Sequence, residues 1–353
     1  FDLIPSKSDN FIGRIGTLGS RAGNFALQNA DLVIFLGTRN NIRQVSHNWP
    51  SFARQAKKII VDIDDAELHK KTVRGDFLIH SDAKVFITKL LGKISGGFKV
   101  DKTWLEWCLT RKKKYPVVLD DYKIPNEHSV HPYHFIEELT TALDDNAIVV
   151  AGNGTACVVL FQAGIVKAGQ RIFWNSGCAA MGYDLPASMG AALAGNQDVI
   201  CITGEGSIQM NLQERQTIKH NNLPIKIFVL NNRGYRSIEL TQTEFFNANF
   251  IGCNKESGVS FPDFSKLADL YDLKYYRIDS TAQMRQVIDK VLSCTGAAIC
   301  EVVLNNNYIF APKLSSEKKP DGRIVSKPLE DLSPLLPRDE FKDNMMISDD
   351  DAE

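Results

Sequence analysis

The chain has 353 residues, room for two domains of ordinary size, and its 44% hydrophobic and 24% charged residues are a soluble globular mix. A formal net charge of −1 gives no general attraction for nucleic acid or an anionic membrane, and no apolar run approaches the roughly 20 residues that span a bilayer. The seven cysteines are scattered, odd in number and without zinc-ligand spacing, which points to a reduced, cytoplasmic setting. The sequence opens on Phe1, without an initiator Met or a signal-peptide pattern, and enters structured patterning almost at once. It reads as the later part of a longer polypeptide.

In chain order, the alanine-rich helical segment SRAGNFALQNA precedes the strand-like DLVIFLG. Residues 51–55 then lead to the strand KKIIVDID, and Asp82–Leu91 reads as a closing helix, so residues 1–95 form a first αβ block. The periodicity is lost in GGFKVDKTW, and 96–127 reads as a linker packing over the junction, with Lys112–Lys114 a solvated helix end. The second block, 128–313, opens with helix Pro132–Leu143 and strand AIVVAG, then a helix through Val158–Ala163 and the strand RIFWN. A small-residue helix in SGCAAMGYDLPASMGAALAG follows, then strand VICIT, helix Leu212–His220 and strand IKIFVLN. Helix Phe264–Tyr271, strand KYYRI, helix Ala282–Leu292 and strand AICEVVL complete it. Strands joined by helices predict an α/β protein of two doubly wound parallel-sheet domains, the first partial and Rossmann-like. From Leu314 to Glu353 the chain is polar and Pro-interrupted and reads as a surface tail that frays at its acidic end.

Ligands of such sheets bind beyond the carboxyl ends of the strands. Four strand ends of the second block carry candidate turns: GNGTA (152–156), SGCAAMG (176–182), GEGS (204–207) and NNRGY (231–235). Gly204 and Gly206 allow close backbone approach and positive φ, and Ser207 with the amides opening the next helix suits an anion. An anion beside Glu205 requires a bridging cation. The simplest arrangement is a divalent metal held by Glu205, Asn232 and one backbone carbonyl, with phosphate oxygens completing a hard-oxygen shell of the kind Mg²⁺ prefers.

The GEG…NN pair, with Glu205 and Asn232 27 residues apart, resembles the thiamine-diphosphate signature of the pyruvate-decarboxylase and acetolactate-synthase superfamily, Gly-Asp-Gly followed by Asn-Asn. GTLGSRAGNFALQNADLVIFLGTRNN and IIVDIDDAELHKK are similar to the central domain of acetolactate-synthase-like enzymes. AGNGT, SGCAAMGYDLPASMGAALA and LPIKIFVLNN are similar to their thiamine-diphosphate-binding domain, and the likeness runs from about residue 12 to at least 305. The resemblance implies that Glu205, Asn232 and the carbonyl of Gly234 bind the metal, Mg²⁺ or another divalent cation. It implies that Gly206, Ser207 and Thr155 contact the diphosphate, with Gly154, Gly204 and Tyr235 of the same turns lining the cofactor. The Ala179 carbonyl would accept the aminopyrimidine amino group, and Met181 would be the wedge that bends the cofactor. The implied reaction is decarboxylation of pyruvate or a related 2-oxo acid with carboligation to a second carbonyl. Simple decarboxylation, or acyl transfer to a keto-sugar, is the alternative. A homodimer or tetramer is implied, in which one subunit's diphosphate domain faces another's pyrimidine domain.

Three features depart from the family pattern. Glu stands at 205 in place of Asp, one methylene longer. The segment GYRSIELTQTEFF lacks the Met-Val and Trp of true acetolactate synthases, which alters the acceptor pocket. The activating Glu belongs to an N-terminal domain outside this sequence, so no catalytic residue is assigned. A nicotinamide dehydrogenase would need a third glycine that GNGTAC and GEGSIQ lack, and a non-catalytic relative would keep the fold alone. Plainer readings complete the survey. His128, His131 and His134 read as a helix start with Pro132 in its first turn. Met189, Met210 and Phe228 read as core, and Cys178 as chosen for its size. Asp62 and Asp64 end a strand, where they cap a loop or meet the ribose of FAD held at GTLGSRAG and GTRNN.

Overall fold

The computed structural model describes residues 1–95, 102–195, 197–321 and 323–347. Two compact units emerge: Ile12–Val117 with the stretch from Ala311 onward, and Phe1–Phe11 with Val118–Phe310. Of the stretch GGFKVDKTW, expected to lack periodicity, residues 96–101 lie outside the described residues, as does the fraying of SDDDAE, whereas Lys102–Trp104 open a helix.

In the unit built on residues 12–117, helix α1 (Arg21–Gln28) starts where the Ser20 hydroxyl accepts from the Gly23 amide at 3.0 Å, an N-cap that satisfies one of the free first-turn donors. Strand β1 (Leu32–Leu36) leads to the short helix α2 (Ile42–Val45), and β2 (Lys57–Asp62) to the short helix α3 (Asp65–Leu68). Strand β3 (Phe77–His80), which periodicity did not reveal, precedes α4 (Ala83–Ile94), capped by Asp82. The three strands pair in parallel in the order β1-β2-β3. The stretch read as a linker holds helix α5 (Lys102–Lys114), and Tyr115 just beyond its end packs against Phe25 of α1 with the rings tilted and their centroids 5.8 Å apart.

The second unit has all six of its strands parallel, β4 (Ile148–Ala151), β5 (Arg171–Trp174), β6 (Val199–Gly204), β7 (Ile225–Asn231), β8 (Lys274–Ile278) and β9 (Ala298–Val303). Their order is β5-β4-β6-β7-β9-β8. Strands β6 and β7 are buried nearly throughout, as continuous apolar runs in a sheet covered on both faces must be. Period-two alternation sorts their side chains. Ile225, Ile227 and Val229 join one core with Leu185, Ile218 and Phe264, whereas Phe228 turns to the opposite face and packs on Phe135, ring centroids 5.8 Å apart. The helices of this unit are α6 (Pro132–Ala142), α7 (Thr155–Ala163), α8 (Asp184–Gly195), α9 (Glu214–His220), α10 (Arg236–Phe245), α11 (Phe264–Leu270) and α12 (Thr281–Ser293). Helix α6 begins as expected, with His131 as N-cap and Pro132 in the first turn.

Both ends of the chain fall differently from expectation. Residues 1–11 pack on the sheet unit, where Asp2 accepts from the Ile172 amide at 2.7 Å and the Phe1 ring lies 4.8 Å from that of Trp174. The segment from Leu314, expected as a surface tail, is half-buried or exposed over most of its described length, yet it forms short strands and is anchored in the unit of α1. Its short strands β10 (Lys313–Leu314), β11 (Ser316–Lys318), β12 (Ile324–Ser326) and β13 (Leu332–Ser333) pair antiparallel, and Leu329, Glu330 and Leu332 are buried in the unit of α1. Helix α13 (Arg338–Lys342) follows. Apolar residues and buried-side polar partners, not periodicity, hold this segment, so composition alone misjudged it.

Candidate functional site

Strand order in the sheet unit reverses between β4 and β6: from β4 the chain moves to β5 on one side and then to β6 on the other. That switch point is where an open α/β sheet forms its ligand crevice. The turns GNG after β4 and GEG after β6 flank it, and the end of β7 lies alongside β6, Leu230 pairing with Gly204.

The Glu205 side chain crosses from the tip of β6 to that of β7. Its Oε1 accepts from the backbone N–H of Asn232 at 3.0 Å and of Gly234 at 2.9 Å. The carboxyl is 1% exposed, and burial pushes its pKa up to about 7 against the backbone donors that lower it. The Asn232 carboxamide lies beside it. One end of the amide stands 2.6 Å from the Gly234 carbonyl oxygen and 3.1 Å from Glu205 Oε1, and the other stands 3.1 Å from the Tyr308 hydroxyl. With its NH₂ toward Glu205 and Gly234, the amide donates to both. With its oxygen there, three acceptors converge, an arrangement that a cation, or a proton on the buried Glu205 carboxyl, stabilises.

The donor set therefore fits a hard divalent ion. One carboxylate, one amide oxygen and one main-chain carbonyl are oxygen ligands, and an octahedron with bonds of about 2.0–2.1 Å has edges of about 2.9 Å, against the observed separations of 2.6 and 3.1 Å. Among the described residues no group of three or more His, Cys, Asp or Glu forms an alternative metal site. The three residues expected as metal ligands thus meet at one point, even with the longer Glu.

The remaining expected residues surround this point with assorted roles. Gly154 is the N-cap of α7 at φ +62°, and Thr155 is the first helical residue, 7% exposed, its hydroxyl 2.8 Å from that of Tyr308. Gly204 and Gly206 do not adopt the positive φ anticipated for them. Gly206 is needed for space instead: a Cβ there would lie 2.2 Å from Cε1 of Tyr235, whose ring covers the turn. The Ser207 hydroxyl faces inward, donating to Asp184 Oδ2 at 2.7 Å and accepting from the Gly182 amide at 2.8 Å. Ala179 is held at φ +50°, and its carbonyl accepts from Asn153 Nδ2 at 2.9 Å. Met181 is half-buried in the same loop. Met210, read as core, is 54% exposed and borders Gly182, whereas Met189 packs against the core and Phe228 is fully buried.

Sequence reading missed two residues. Asp184, fully buried, accepts from the Thr203 and Ser207 hydroxyls, both at 2.7 Å, and so ties the loop before α8 to the end of β6 and the GEGS turn. Burial raises its pKa, and the two hydroxyls oppose the shift. The Asp of GYDLP at a helix start was its only signal. Tyr308, 2% exposed, follows the last strand in a polar stretch, NNNYIF, with no periodicity to mark it. Burial raises its phenol well above the ordinary range.

Comparison with known proteins decides the family. Residues 152–302 match the C-terminal TPP binding domain of thiamine pyrophosphate enzymes, and residues 2–90 match the central domain of the same enzymes. The chain belongs to the thiamine pyrophosphate enzyme family. Relatives of this family include an acetolactate synthase large subunit of Cyanidium caldarium, 31% identical over 87% of this chain and 52% of its own length. That of Pyropia yezoensis is 31% identical over 86% and 51%, and acetolactate synthase 2 (chloroplastic) of Zea mays 29% over 89% and 50%. The chain thus spans about half the length of the curated relatives it matches. The GEG and NN turns lie within the residues that match the TPP binding domain.

In the other unit, Asp64 accepts from the Ala66 amide at 2.9 Å as the N-cap of α3, and Asp62 accepts from the Asp64 amide. The glycines of GTLGSRAG serve close packing: a Cβ on Gly19 or Gly23 would lie 2.6 Å from the Arg14 carbonyl oxygen, and Asn24 holds both backbone polar groups of Gly16.

Proposed function

We propose that this chain supplies the diphosphate and metal half of an acetolactate-synthase-like site, which decarboxylates pyruvate or a related 2-oxo acid and joins the acyl fragment to a second carbonyl compound. The observation that carries the reading is the meeting of Glu205, the Asn232 amide and the Gly234 carbonyl at adjoining strand tips. The matched relatives named acetolactate synthase support the reaction class. Thiamine diphosphate, when bound, supplies the electron sink for the carbanion left when CO₂ departs.

The chain's own residues do the holding. Glu205, Asn232 and Gly234 would seat Mg²⁺ or another divalent ion, and the amides opening α7 after Gly154, with the Thr155 hydroxyl, face the anion expected there. Asp184 positions Ser207 and Thr203 and does not touch the cofactor. The segment that departs from acetolactate synthases forms α10, directly after the metal-seating carbonyl, which favours an altered acceptor, a 2-oxo acid or a keto-sugar. Assembly as a homodimer or tetramer, with the activating carboxylate from a domain outside this chain, belongs to the same reading. FAD at GTLGSRAG and GTRNN is a further cofactor that this reading allows.

Asn232→Ala tests the site. In the native protein it removes one metal ligand, and calorimetric binding of thiamine diphosphate with Mg²⁺ should fall by at least about 100-fold, more than the 10- to 100-fold typical of losing an outer-shell partner. Retained metal-dependent binding overturns the assignment. Release of CO₂ from pyruvate by the native protein distinguishes an active enzyme from a non-catalytic relative.

A further inference from the structure

Tyr308 links the two halves of this site. Its hydroxyl lies 2.8 Å from Thr155 Oγ1 and 3.1 Å from the near end of the Asn232 carboxamide, and the far end of that amide faces Glu205 and the Gly234 carbonyl. Thr155, Tyr308 and Asn232 are all buried, so each proton in the row must have a direction and an acceptor.

Two orderings are at issue, the second satisfied only when a cation takes the Asn232 oxygen. In one, the Asn232 NH₂ donates to the Gly234 carbonyl and to Glu205 Oε1, and its oxygen accepts from the Tyr308 O–H. The Tyr308 oxygen then accepts from Thr155, whose only proton is already donated. In the other, the Asn232 oxygen faces Glu205 and Gly234, as a cation requires, and its NH₂ donates to the Tyr308 oxygen. The Tyr308 O–H then points to Thr155 Oγ1, and the Thr155 proton is released toward the anion at the start of α7.

We infer that Tyr308 is a positioning residue that couples cation to anion: turning the Asn232 oxygen onto the metal reverses the row and frees the Thr155 hydroxyl to donate to the diphosphate. The inference rests on the metal and cofactor reading above and adds a relay to it. A tyrosine hydroxyl suits the role because it rotates and both donates and accepts. No proton is gained or lost; two hydrogen bonds exchange donor and acceptor.

The test uses Mg²⁺ with inorganic pyrophosphate, an anion that needs only groups of this chain, titrated calorimetrically into the whole chain. Thr155→Val should weaken binding about tenfold, the worth of one charge-assisted hydrogen bond. Tyr308→Phe removes the acceptor that holds the Thr155 proton, so it should bind pyrophosphate without metal about tenfold more tightly than the wild type and bind it with Mg²⁺ within about twofold of the wild type. A Tyr308→Phe variant that binds pyrophosphate without metal no better than the wild type overturns the relay. Affinity for Mg²⁺ alone should stay within about twofold in Tyr308→Phe, since each amide orientation loses one bond; a larger loss assigns Tyr308 to the metal seat and overturns the coupling. If Tyr308→Phe does not fold, Thr155 reports from the other end. Thr155→Ser should keep wild-type affinity, and Thr155→Val should lose affinity with Mg²⁺ but not for pyrophosphate alone by ³¹P NMR titration. Equal loss with and without metal overturns the proposal. A wild-type chain that binds no pyrophosphate with Mg²⁺ overturns the cofactor site itself, an outcome separate from a wild type that binds and a Tyr308→Phe variant that shows no gain without metal.

Discussion

Asp184 and Gly152 show how a single side chain can be decided by the space another leaves it. A Cβ on Gly152 would lie 2.2 Å from Asp184 Oδ2, the oxygen that accepts from both Thr203 and Ser207. Gly152→Ala must push that fully buried carboxylate off its two hydroxyls. We expect it to destabilise the fold by about 2–4 kcal/mol, through overpacking and buried groups left without partners, measured by urea unfolding. Gly206 is constrained by the Tyr235 ring in the same way. The sequence shows glycines in both turns; it does not show that one makes room for an acid and the other for an aromatic ring.

At the scale of the element, the start of α6 carries a pH dependence. His131 caps the helix, its Nδ1 accepting from the Tyr133 amide, and its ring stacks on Tyr122 with centroids 3.9 Å apart. Burial, with a lesser contribution from His134, lowers its pKa to about 4. The unfolded chain takes up this proton near the ordinary value of about 6.5, so between the two values it binds more protons than the folded protein. Stability should therefore fall as pH drops from 6.5 toward 4, by about 1–2 kcal/mol once solvent screening of the half-buried ring is allowed for. His131→Asn keeps a capping side chain and removes the titration. Chemical unfolding at pH 7 and pH 5 should show a smaller difference for the variant than for the wild type; an unchanged difference locates the proton elsewhere. Histidine before a Pro-led apolar run was readable as a helix start. Its stacking on Tyr122, from a stretch read as linker, was not.

At the scale of the whole molecule, the chain reaches across nearly its full length to close one unit. Glu330 accepts from Gln28 Nε2 at 2.6 Å and pairs with Arg54 at 2.7 Å, both partners about 300 residues earlier and all three buried or nearly so. Asn24 donates to the Leu329 carbonyl, and Asn29 to that of Asn344. Glu330→Ala leaves the Arg54 charge and an α1 amide without their partner, and should destabilise this unit by about 3–5 kcal/mol. A thermal scan in which it melts with the wild type would show that the segment after residue 311 contributes little. Polar, Pro-interrupted composition made this segment look like a loose tail, because its anchors are single side chains whose partners lie far away in sequence.

What the sequence determined alone was local and repetitive. Apolar runs broken by helical patterns gave parallel strands and covering helices, and the GEG and NN turns 27 residues apart marked the strand tips. These signals survive because period and spacing are properties of neighbours along the chain. The tertiary structure decided which oxygens meet, that Asp184 and Tyr308 stand behind the site, and that the last segment returns to α1. Those depend on strand order and on burial, which bring together residues that no pattern along the chain connects.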